Sequence, residues 1–115
     1  MKNRRIYNRI HSYAKAVFLF YDLIGYVRDI SEEGLRIELV SDEIPEFSGT
    51  AHTTIISHPD LKLDPFNILT EIRWAQRNGP TIAVGLRVIE FSSSQGEEIF
   101  SRLVQLFAEL NSQSD

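Results

Sequence analysis

The chain contains no cysteine, and that absence removes disulfides, thiol nucleophiles and cysteine-ligated zinc together. It suits a reducing compartment, and a cytoplasmic location is expected. Long hydrophobic runs are missing too. The longest, AVFLFY from Ala16, is flanked by Lys15 and Asp22 and falls well short of the ~20 apolar residues of a membrane span. No small-residue cleavage site follows it, so a secretory leader is not expected. His11, His52 and His58 share no metal-ligand spacing with one another or with a carboxylate pattern, so they read as surface or strand residues and no metal is expected. There is no Gly-rich phosphate loop, nucleophile elbow or paired His/carboxylate set, and hence no visible catalytic machinery.

What is present fits one domain. A chain of 115 residues that is 43% hydrophobic can bury roughly two thirds of its unfolded surface around a single core. Its charge is unevenly placed: residues 1–36 hold seven Lys/Arg against four Asp/Glu, and the remainder holds five against twelve. The basic end is an anion-seeking arm on an acidic body. Residues 1–13 show no sustained apolar period and read as a flexible arm, 14–111 as the folded domain and 112–115 as a tail.

Within the domain the apolar spacing is that of strands. AKAVFLFY is short and rich in aromatic and branched residues, IGYVRDI follows, and LRIEL sets Leu35, Ile37 and Leu39 opposite Arg36 and Glu38. AHTTIIS is a fourth, weaker candidate. ILTEIRWA puts Ile68, Ile72 and Trp74 on one face, which predicts a core position for Trp74, and RNGP turns the chain back into TIAVGLRVIEF. After Phe91 the period becomes helical: Ser94 and Glu97 form a capping-box pattern, and Ile99, Phe100, Leu103, Phe107 and Leu110 recur on one stripe. The stripe is expected to pack on the chain's own sheet. The outline is a mainly β fold, a six-stranded antiparallel barrel with a C-terminal helix.

Two stretches carry candidate binding chemistry. Arg5 and Arg9 are four apart, which brings both to one side in a helix or a strand. A guanidinium is planar, permanently charged and forked, so it grips a phosphate or the O6/N7 edge of guanine with two bonds. Asp29 and Ser31 lie two apart at a strand end and project together. Asp29 can accept from guanine N–H groups, Ser31 can donate or accept, and Gly34 permits a positive φ or a close approach. A plain turn built from Asp, Ser and Gly is the competing reading of this stretch.

Taken in this order, an Arg-x-x-x-Arg arm, a strand, a second strand ending in Asp-x-Ser-x-x-Gly, four more strands and a closing helix resemble the PilZ domain family over nearly the whole chain. The late strand AVGLRVIEF is similar to the family's glycine-containing strand before the helix, with Val88 standing where an aromatic is common. The resemblance implies a six-stranded barrel and a non-enzymatic bacterial receptor for the second messenger cyclic di-GMP. Its site residues would be Arg4, Arg5, Arg9, Asp29, Ser31 and Gly34, with no cofactor. Arg4 would add a third guanidinium compatible with a self-paired nucleotide, or remain merely solvated. A downstream protein partner is expected, and neither membrane insertion nor nucleic-acid binding is. The alternatives are an adaptor of the same fold that does not bind the nucleotide, and a single-strand nucleic-acid binder, against which the acidity argues.

Overall fold

The computed structural model describes residues 14–19, 21, 23–39, 41 and 49–113, with side chains as far as residue 109. The arm with Arg4, Arg5 and Arg9 lies outside the described residues. Six strands form: β1 (Ala14–Phe18), β2 (Leu23–Ile30), β3 (Gly34–Leu39), β4 (Thr50–Ser57), β5 (Phe66–Asn78) and β6 (Thr81–Phe91). They close an all-antiparallel barrel in the order β1-β2-β3-β6-β5-β4. Helix α1 (Ser94–Gln113) completes the chain, and the fold is the barrel with C-terminal helix that the apolar spacing predicts. Among the described residues no helix is long and apolar enough to cross a membrane.

Alternation explains the core. Ala14, Ala16 and Phe18 of β1, Leu35, Ile37 and Leu39 of β3, and Ile82, Val84 and Leu86 of β6 point inward at every second position. The weakest strand candidate, β4, places Thr53 in this interior with its hydroxyl 3.4 Å from that of Thr70, which in turn donates to the Ala51 carbonyl at 3.0 Å. Two polar side chains are thereby buried at little cost, because each hydroxyl has a partner.

Helix α1 turns its stripe onto the barrel. Ile99, Phe100, Leu103 and Phe107 are buried, and the Phe100 ring stands edge-on to Phe66 at 6.3 Å and tilted against Phe91 at 5.2 Å, both favourable aromatic geometries. The cap falls one residue earlier than the Ser94/Glu97 pattern suggests. The Ser93 hydroxyl accepts from the Gly96 N–H at 3.0 Å, and the Ser93 carbonyl accepts the Glu97 N–H at 3.2 Å, which makes Ser93 the N-cap. Gly96 suits that position because a Cβ there would sit 3.2 Å from Phe66 Cβ, where the first helical turn presses on β5.

Three register shifts interrupt the ladders, at Val27/Asp29 in β2 and at Leu69/Thr70 and Ile72/Trp74 along the β5–β6 pair. In two of them an arginine is the extra residue: Arg28 between the pairs Val27↔Ile37 and Asp29↔Arg36, and Arg73 between Ile72↔Leu86 and Trp74↔Gly85. A bulge resets which side later residues face. With Val27 buried, strict alternation would drive Asp29 into the core, but the extra residue leaves it exposed. The same device on β5 turns Trp74 outward, 44% exposed, which overturns the core position expected for it.

Candidate functional site

Both bulges open onto one concavity. It measures ≈ 400 Å³ and is lined by the end of β2, the β2–β3 turn and the facing parts of β3, β5 and β6, including Asp29, Ser31, Glu33, Gly34, Arg36, Arg73, Trp74, Gly85 and Arg87. That volume lies within the range of small-molecule sites. The strand register sets the residues out in two rows. Asp29 pairs with Arg36, Arg36 with Gly85, and Gly85 with Trp74, while Gly34 pairs with Arg87 and Arg87 with Glu71.

The turn is fixed by its own backbone. Ser31 N–H donates to the Gly34 carbonyl at 2.9 Å and Gly34 N–H returns a bond to the Ser31 carbonyl at 3.3 Å, closing a loop whose two tip residues are Glu32 and Glu33. Val88 N–H donates to the Glu33 carbonyl at 2.9 Å and ties the loop to β6. The Asp29 carboxylate accepts from the Ile30 N–H at 2.9 Å. Gly34 serves by close approach: positive φ occurs at Gly49 and Gly79 and not there, and a Cβ at Gly34 would lie 2.0 Å from the Leu86 carbonyl oxygen. Any side chain at Gly34 would push β3 off β6.

Across the concavity the cationic side is organised by one carboxylate. Glu71 Oε1 accepts from Arg87 Nε at 2.9 Å and from Arg73 Nη1 at 3.2 Å. The Arg87 bond, then the Arg73 bond, hold the Glu71 carboxyl below its usual range. Arg28 is engaged elsewhere, donating to Glu38 Oε1 at 2.7 Å. The Trp74 indole lies across Gly85, whose missing side chain makes room for it: a Cβ there would come within 2.3 Å of the ring. An exposed aromatic face, three guanidinium groups and the Asp29 carboxylate thus border one space. Such a set can stack a base, receive an anion and accept from a base edge.

Of the residues predicted from sequence, Asp29, Ser31 and Gly34 are brought together here, while Arg4, Arg5 and Arg9 lie outside the described residues. Sequence reasoning missed Arg36, Arg73, Trp74, Gly85 and Arg87. One signal was available for them, a glycine inside an otherwise regular strand, which marks a close approach.

The sequence matches the PilZ domain family over residues 3–106. This chain belongs to the PilZ domain family. No curated protein matches it. The family is known as one of non-enzymatic cyclic di-GMP receptors, and in this PilZ domain the Asp-x-Ser-x-x-Gly turn forms one wall of the concavity.

Proposed function

We propose that this PilZ domain is a non-enzymatic cytoplasmic receptor for cyclic di-GMP, with Arg4, Arg5, Arg9, Asp29, Ser31 and Gly34 as its ligand-binding residues. The observation that carries the reading is the meeting of Asp29 and Ser31 with Arg36, Arg73, Arg87 and the exposed Trp74 around one concavity. A ligand with two guanines and two phosphates needs cationic forks, a carboxylate for the guanine N–H edge and a flat apolar face, and each has a counterpart here.

The register supports a part for the arm. Lys15 pairs with Tyr26, so the chain enters β1 at the end of the barrel where β2 runs out to Asp29. Arg9 stands five residues before Ala14, a reach of about 17 Å at ~3.3 Å per extended residue. That span suffices for a nucleotide bound between arm and turn. Closure of the arm over the nucleotide is then the signal, and it makes a surface that a downstream protein reads.

Titration calorimetry tests the assignment. Cyclic di-GMP is expected to bind, with GTP and GMP binding far more weakly. Absence of heat and of any thermal shift at high micromolar cyclic di-GMP would overturn the receptor reading and leave a PilZ-fold adaptor.

A further inference from the structure

We infer that Glu71 is a positioning residue for this site, holding Arg87 and Arg73 as a preset cationic wall of the concavity; the inference rests on the proposed nucleotide site. Glu71 does not itself border the concavity, whereas both arginines do. Its bond to Arg87 uses Nε, the side edge of the guanidinium, and leaves the two terminal nitrogens as the edge that can meet a ligand oxygen. Arg73, the extra residue of the β5 bulge, is tied to the same Oε1 through Nη1. One carboxylate therefore fixes the planes of two guanidiniums that come from neighbouring strands.

Two effects of opposite sign compete. Glu71 repels an anionic ligand, but its side chain and those of both arginines are more than a third exposed, so solvent screens that repulsion strongly. Against this, an arginine ordered only on binding costs affinity, roughly two- to tenfold per immobilised side chain. Glu71 orders both before the ligand arrives, and the pair plus its counter-ion still carries a net positive charge. Positioning is the larger effect.

The experiment compares the wild type with Glu71→Ala and Glu71→Gln. The glutamine keeps an oxygen acceptor for Arg87 Nε–H and removes the charge. First, the arginine Nε–H resonances are recorded by nitrogen-edited NMR without nucleotide. The Arg87 Hε is expected to exchange slowly in the wild type and in Glu71→Gln, and fast in Glu71→Ala. Second, cyclic di-GMP is titrated into each: Glu71→Ala is expected to lose about tenfold in affinity, and Glu71→Gln to stay close to the wild type. An Arg87 Hε indifferent to Glu71→Ala, or affinities that rise alike in both variants, would overturn the positioning role. A wild type that binds no cyclic di-GMP overturns the receptor reading, and the Hε signal then decides the arrangement of the arginines on its own.

Discussion

The residues best placed to separate binding from folding are the exposed ones. Asp29 reaches the concavity only because Arg28 is bulged, and its side chain supports one bond to the adjacent backbone. Asp29→Ala should therefore cost affinity for cyclic di-GMP while leaving the melting temperature nearly unchanged. A variant that chiefly lowers the melting temperature would mean an ordinary turn residue. Arg5→Ala and Arg9→Ala should each weaken binding by roughly 1–3 kcal/mol, the range of a two-bond guanine contact, with far-ultraviolet circular dichroism unchanged. Gly85 offers an indirect test of the indole. Gly85→Ala would place a methyl group inside the Trp74 ring and force it off the strand, whereas base stacking is worth ~1–3 kcal/mol per base. Trp74 is the chain's one tryptophan, so quenching of its fluorescence by cyclic di-GMP should be strong in the wild type and much reduced in Gly85→Ala. Unaltered quenching would remove Trp74 from the site.

Among the elements, those that alternate strictly were legible in the sequence and those that slip were not. Leu35, Ile37 and Leu39 announced β3, and the helical stripe announced α1, because each turns an unbroken apolar side to the one core. The row Ile68, Ile72, Trp74 read equally well and misled. The ladder to β6 gains a residue at Arg73, a pairing property of two strands that neither strand's own pattern records. The same limit hid Arg36 and Arg87, which join the site only through the pairing of β3 with β6 that sets them beside Gly85 and Gly34. Asp29, Ser31 and Gly34 were legible because they lie together in one turn. The helix start was misplaced by one residue because three serines run from Ser92 to Ser94, all of them competent caps, and packing of Gly96 on Phe66 selects Ser93. Ser93→Ala should then lower stability by about 1 kcal/mol in urea unfolding, with Ser94→Ala near neutral. The reverse order would restore the Ser94 cap.

At the scale of the whole molecule the uneven charge acquires a direction. Seven of the twelve Lys/Arg fall in residues 1–36, and the chain enters β1 at the end of the barrel where β2 runs out to Asp29, which borders the concavity with Ser31. Residues 1–13 hold few apolar groups, so burial contributes little toward the conformational entropy of ordering them. A multivalent anion changes that balance, since it can tie Arg5 and Arg9 to the turn at Asp29 and make the arm's position depend on occupancy, one of the order–disorder switches by which binding is transmitted. The helix differs: Ile99, Phe100, Leu103 and Phe107 are already buried without a ligand, and its amides are protected by packing already formed. Hydrogen exchange with and without cyclic di-GMP separates the two. Amides from Arg4 to Tyr13 should gain protection on adding the nucleotide, with α1 changing little. If the arm were already protected in the free protein, occupancy could not be read through it, and the signal would have to leave through the barrel face around Arg36 and Trp74 instead.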